Sequence, residues 1–167
     1  MIYIITTISF LLDGLLSNFM PYNLNNISSF TPLFTVISLV LIYPLFNNQN
    51  KYYLVYAFLL GIIYDLTYTD TMLFNGMLFL IIAYIIKFIY AYFVDNIYNS
   101  VSIGIVILTL YIIISYGVLS LLNYVEFNIV YLFYKIIKTI ILNVLYNLVS
   151  YFIIDKITKK FKIKRIT

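Results

Sequence analysis

Two carboxylates, Asp13 and Asp65, and two ammonium groups, Lys135 and Lys138, interrupt runs of sequence that are otherwise apolar. Ionisable groups inside a membrane are costly and usually face a partner, so these four residues are the first places to look for chemistry. The range open to them is narrow. Asp13 and Asp65 form the one acid/base pair on offer, and no nucleophile motif, metal-ligand cluster or glycine-rich phosphate loop stands beside them. The chain has no Cys and no His. That removes thiol nucleophiles, disulfides, haem ligation, most zinc chemistry and every histidine proton shuttle. Neither catalysis nor a cofactor nor a bound metal is expected. The net charge of +4 gathers mostly at the C-terminal end, which does not suit nucleic-acid binding.

The surroundings of Asp65 are the most polar stretch set between two apolar runs. In Leu59–Phe79, LLGIIYDLTYTDTMLFNGMLF, the carboxylate follows Gly61 by one helical turn. A polar turn from Thr67 to Thr71 comes next, and Asn75-Gly76 leads back into apolar sequence. Three roles are open to Asp65: an ion pair or helix cap that locks the fold, a partner contact or conformational role, and proton or ion transport. Gly61 suits close approach of a neighbouring helix. Asp13-Gly14 either breaks the first apolar run or exposes a carboxylate to an outward cavity.

In the last apolar run, Lys135, Thr139, Asn143 and Asn147 recur at steps of four, with Ser150 continuing the row. Such steps share one helix face. That face serves interhelical hydrogen bonding, a polar surface for another membrane protein, or a substrate path. At ~1.5 Å rise per residue, Asp65 and Lys135 lie roughly 8 and 9 Å outward of their run midpoints, and Asp13 and Lys138 about 3–5 Å. The matched depths predict ion pairs of Asp65 with Lys135 and of Asp13 with Lys138.

The elements that must position these groups are helices in lipid. The chain is 64% hydrophobic and 10% charged, with mean hydropathy +1.03, whereas soluble domains are ~45–50% apolar and ~25% charged. Six apolar segments fall at about Ile2–Met20, Thr31–Phe46, Tyr52–Tyr68, Met72–Phe93, Ser100–Leu122 and Asn128–Ile154. They are continuous rather than alternating, and backbone in lipid must satisfy itself, so strands are unlikely and helices are predicted. The first lacks a basic leader and a small-residue cleavage site, and reads as a retained span. Pro32 opens the second segment in a position that suits a first helical turn. The second and third are short against the ~20 residues a bilayer core needs, so local thinning or Tyr and Asn flanks must make up the difference.

The expected fold is an all-α integral membrane protein, a six-transmembrane-helix bundle over residues 1–155. A basic tail, 156–167, follows with Lys156, Lys159, Lys160, Lys162, Lys164 and Arg165. By the positive-inside rule this tail is cytoplasmic, and six spans make the N-terminus cytoplasmic too. The tail is first a topology signal and also suits anionic lipid or a partner. No internal repeat is evident, and no nucleic acid or small-molecule substrate is expected.

Three stretches carry a family resemblance: SFTPLFTVISLVLIYPLF (Ser29–Phe46), LLGIIYDLTYTDTMLFNGMLFLIIAYIIKFI (Leu59–Ile89) and FLLDGLLSNFMPY (Phe10–Tyr22). Together they resemble the rod shape-determining protein MreD family in its low-GC Gram-positive form. The second half is similar only as two apolar spans and a basic end. The resemblance implies a multi-pass plasma-membrane component of the cell-elongation machinery without chemistry of its own. Its implied partners are an MreC-like single-span protein, MreB filaments, and RodA with its class B penicillin-binding protein, coupled to peptidoglycan synthesis. By the same resemblance Gly61 and Asp65 carry a third-span signature and Pro32 opens the second span. A different class, the substrate-binding S-component of an energy-coupling-factor vitamin transporter, has similar length and span number. Its usual Ala-x-x-x-Ala docking pattern is missing, since the only alanines are Ala57, Ala83 and Ala91.

Overall fold

Continuous apolar runs, whose peptide groups have no water to bond, close their hydrogen bonds internally as helices. The computed structural model describes residues 1–19, 31–46, 49–69 and 73–162. Among these, six α-helices and no strand occur: α1 Ile2–Phe19, α2 Phe34–Ile42, α3 Asn50–Tyr68, α4 Phe74–Tyr90, α5 Ile97–Leu121 and α6 Ile129–Phe161. A 3₁₀ turn, Tyr43–Phe46, extends α2. By length and composition α1, α5 and α6 can each cross a membrane, while Phe34–Phe46 and Phe74–Tyr90 are shorter apolar helices.

The short second segment is the centre of the molecule. Every residue from Leu33 to Leu45 is buried, including Thr35, Ser38 and Pro44. A helix apolar on all sides belongs inside, and α2 packs against α1, α4, α5 and α6. Helix and 3₁₀ turn together span roughly 21 Å, from ~1.5 and ~2.0 Å rise per residue. A span this short facing lipid would need local thinning of the bilayer or Tyr and Asn flanks. Protein surrounds α2 instead, so its length need not match lipid. Pro44 has no N–H to give the Val40 carbonyl. The Tyr90 hydroxyl lies 3.5 Å from that oxygen, at the outer limit of a hydrogen bond, and Tyr53 donates to Leu39 O at 3.0 Å.

Helices α1 and α6 are polar inward and apolar outward. On α1, Thr6, Ser9 and Asp13 are buried while Ile4, Ile8, Leu11 and Leu15 are exposed. On α6, Thr139, Asn143 and Asn147 are buried and Ile137, Ile141, Leu145 and Val149 exposed. Lipid tails are as apolar as leucine, so interhelical hydrogen bonds and close packing hold such a bundle together. Ser9 and Tyr146 hydroxyls join α1 to α6 at 2.7 Å, Thr6 bonds Tyr56 of α3, and Tyr68 donates to Phe10 O at 2.7 Å.

Helix α6 runs seven residues beyond the Ile154 boundary drawn from hydropathy, through Lys156, Lys159 and Lys160. Its 33 residues extend about 50 Å, well past the ~30 Å hydrocarbon core.

Candidate functional site

At the end of the bundle opposite the basic tail, two helices begin inside the protein. The first N–H groups of a helix have no intrahelical acceptor and carry partial positive charge, and leaving them bare in an apolar interior is costly. Both starts lack a side-chain cap of their own. A carboxylate from the preceding helix supplies each.

Asp13, 2% exposed on α1, takes the start of α2. Its Oδ1 accepts from Phe34 N at 2.7 Å, and its Oδ2 from Thr35 N at 2.9 Å and the Thr35 hydroxyl at 2.6 Å. Asn143 of α6 completes this cap, accepting from Leu33 N at 2.9 Å while its amide donates to Thr31 O at 3.0 Å and Thr139 O at 2.8 Å. Pro32 sits between these contacts, just ahead of the helix, where its missing N–H leaves no donor to satisfy.

Asp65, 3% exposed on α3, takes the start of α4. It accepts from Asn75 N at 2.9 Å, Gly76 N at 3.2 Å, Asn75 Nδ2 at 2.8 Å and the Thr69 hydroxyl at 2.9 Å. The Tyr111 hydroxyl of α5 donates to Asn75 Oδ1 at 2.8 Å. Residue Leu73 enters the helix with φ 62°, in the left-handed region. That turn brings the Asn75 and Gly76 amides onto a carboxylate only ten residues back. The backbones of α3 and α4 touch here: a Cβ on Gly61 would stand 2.7 Å from Gly76 Cα and against the Asn75 carbonyl.

The predicted pair of Asp13 with Lys138 gives way to this arrangement, since the described contacts of the Asp13 carboxylate all go to the start of α2. Helix starts meet both carboxylates instead. Backbone donors are already fixed in place, whereas a lysine must give up side-chain freedom and hydration to reach the same acceptor. Lys135 and Lys138 are half-buried on α6.

The remaining α6 residues divide by depth. Asn147 binds Ser100 of α5 twice, accepting from its hydroxyl and donating to its carbonyl, both at 3.1 Å. Gly104 leaves room for that amide, since a Cβ there would fall 2.5 Å from Asn147 Nδ2. The Thr139 hydroxyl is buried without a hydrogen-bond partner. At the other end Lys156, Lys159, Lys160 and Lys162 are exposed, and Lys159 pairs with Asp155 at 2.6 Å. Lys164 and Arg165 lie outside the described residues.

Between the two capped starts lies a cavity of about 560 Å³ to which all six helices or their leads contribute. Asp13, Tyr64, Asn75, Tyr111 and Lys135 are among the described residues that line it, with Ser17, Thr31, Thr67 and Ser115. Among the described residues no group of three or more carboxylate, His or Cys side chains is placed to hold a metal.

Sequence reasoning singled out neither Thr6 and Ser9 nor Thr35 and Tyr111. The first two were detectable, because with Asp13 they recur at helical spacing along an apolar run. Tyr111 carries no such signal among 19 tyrosines.

A family model described as rod shape-determining protein MreD matches residues 1–161 of the chain. Comparisons with curated proteins and with solved structures gave no match.

Proposed function

The chain belongs to the rod shape-determining protein MreD family, a non-catalytic membrane family concerned with cell shape, and we propose that it works as a multi-pass scaffold of the elongation machinery in the plasma membrane. It holds an MreC-like single-span protein, and through it MreB filaments and the RodA–class B penicillin-binding protein pair, beside one another during peptidoglycan synthesis.

One observation supports this reading above the rest. Both intramembrane carboxylates are engaged by helix starts, Asp13 through three donors and Asp65 through four. A carboxylate engaged in this way holds the interior in one arrangement, which suits a framework better than a gate or proton relay. Partner contacts then belong on the outward apolar faces and the basic end. The exposed face of α1 bears Tyr3, Ile4, Ile8, Leu11 and Leu15, bulky residues ill suited to the small-residue docking that an importer subunit uses.

Both termini are proposed to be cytoplasmic. Lys51 at the start of α3, Lys87 in the last turn of α4 and the lysines ending α6 fall at one end of the bundle, as the positive-inside rule requires. Depleting the protein from a rod-shaped host should round the cells, and re-expression should restore rods. Unchanged shape under full depletion would refute the scaffold role. Because the native chain lacks Cys, single cysteines at Lys160 and at Glu126 test the topology directly. The former should be shielded from an impermeant thiol reagent in intact cells and the latter labelled.

A further inference from the structure

We infer that the last turns of α6 are a binding surface for anionic phospholipid, with acyl chains along the outward apolar side chains and phosphate headgroups among Lys156, Lys159 and Lys160. The inference rests on the bundle spanning a membrane with its basic end cytoplasmic. It goes beyond the scaffold reading by giving that end an occupant of its own. Charge along the sequence leaves lipid and protein partner equally open, because it does not say which way the lysines face.

The rotation of the helix decides that. Tyr151, Ile154 and Thr158 are buried, which turns the opposite side of the same stretch outward. At ~3.6 residues per turn that side carries two ridges. Along one, exposed Phe152 leads to exposed Lys156 and Lys159; along its neighbour, exposed Ile153 and Ile157 lead to exposed Lys160. Each ridge begins apolar and ends in an ammonium group. A phospholipid presents the matching order, chain and then charged head, in the same direction. Lysine stems can lie along apolar surface while their ammonium groups reach the headgroups. Between Tyr151 and Lys162 four lysines stand against one carboxylate, Asp155, so a positive excess remains after Asp155 has paired with Lys159.

A second helix marks the same layer. Near the inner end of α4, Tyr84, Phe88 and Tyr92 are exposed at steps of four, and the Lys87 ammonium lies 5.7 Å from the centre of the Tyr84 ring. On α6 the Lys160 ammonium lies 5.9 Å from the centre of the Phe161 ring. Outward aromatic rings beside lysines are the pattern of a membrane–water boundary, where one end of a side chain meets lipid and the other meets water. An acidic segment of a soluble partner fits this surface less well. It would answer the ammonium groups but leave Phe152, Ile153 and Ile157, exposed among them, without apolar cover.

The native chain has no Trp, so one introduced tryptophan reports the lipid beside it. F152W places the reporter on the proposed surface, and L15W places it on the exposed face of α1 toward the other end of the bundle. Each full-length variant is reconstituted in bilayers of equal phosphatidylcholine and phosphatidylglycerol, with one of the two lipids brominated at a time. Brominated phosphatidylglycerol should quench F152W with an apparent affinity about threefold or more above that of brominated phosphatidylcholine, and raised salt should shrink the difference. The two lipids should quench L15W alike. Adding K156Q, K159Q and K160Q together to F152W, all at exposed positions, should bring its quenching to the L15W pattern. Equal quenching of F152W by both lipids would overturn the proposal and assign the lysines to an acidic partner segment. A phosphatidylglycerol preference of the same size at L15W, or one that survives the three glutamines, would overturn it too. These bilayers contain no partner protein, so failure here leaves the cell-shape assay to judge the scaffold separately.

Discussion

The two helix starts solve one physical problem by different routes. Asp65 caps α4 from ten residues away, within a hairpin whose backbones meet at Gly61 and Gly76, and Asn75 adds its own side chain. Asp13 caps α2 from 21 residues away with help from Asn143, which lies 110 residues beyond Leu33. The first is a local device that a hairpin can form alone. The second exists only once α1, α2 and α6 have assembled. A carboxylate in an apolar run is therefore not a sign of function by itself, since both of these serve backbone that would otherwise be left bare.

The sharpest way to break the comparison is at the backbone contact. Gly61→Leu should cost at least ~3 kcal/mol, because the obstructing atoms are main chain and cannot rotate away. Denaturant titration in detergent should show this loss, and a wild-type midpoint would mean α3 and α4 are not so close. Gly14→Ala is the matched control on α1. Its Cβ would meet the tip of the Tyr68 ring rather than main chain, and moving that ring gives up its bond to Phe10 O, so a smaller cost of about 1–2 kcal/mol is expected.

Next come the carboxylates. Asp13→Ala leaves two backbone amides and the Thr35 hydroxyl without an acceptor deep in the bundle, and should cost roughly 3–5 kcal/mol at about 1–3 kcal/mol per bare buried group. Asp65→Ala should cost at least as much, roughly 4 kcal/mol or more on the same basis, since it bares the Asn75 and Gly76 amides, the Asn75 side-chain amide and the Thr69 hydroxyl. Hydrogen exchange should separate the two further. Loss of Asp13 should raise exchange at Phe34 and Thr35 and loosen α6 around Asn143, whereas loss of Asp65 should confine faster exchange to the start of α4. Equal, global effects of both would erase the local-against-distant distinction.

Asn143→Leu tests the distant half of the α2 cap alone. It strips an acceptor from Leu33 N and a donor from Thr31 O, for an expected ~1–3 kcal/mol. A double-mutant cycle with Asp13→Ala should show coupling, because both hold one helix start. The smallest effect belongs to Lys159→Ala. Its exposed pair with Asp155 should contribute no more than about 0.5 kcal/mol and less at high salt, and a larger loss in thermal melts would mean the α6 extension is bracing the bundle.

Much of this was written in the chain itself. Continuous apolar runs place helices where the structure has them, because peptide groups in lipid must bond to one another. The polar row Thr139, Asn143, Asn147 at steps of four marks the buried face of α6, and the Gly61–Asp65 and Asn75-Gly76 spacing marks a contact between neighbours. Span length proved a poor guide to α2 and to the end of α6. Length predicts membrane depth only for a helix that touches lipid, and α2 touches none.

Sequence alone determined that this protein is helical and apolar, and which faces of α1 and α6 carry polarity, since these follow from residue type and from period along one chain. Tertiary structure decided what the charges do. Depth matching predicted an ion pair of Asp13 with Lys138 because it measured how far each charge lies along its own helix. It could not see that two other helices begin at the same level, offering amides already fixed in place. Which of several possible partners a carboxylate takes depends on what lies across from it, and that becomes defined only when the helices pack.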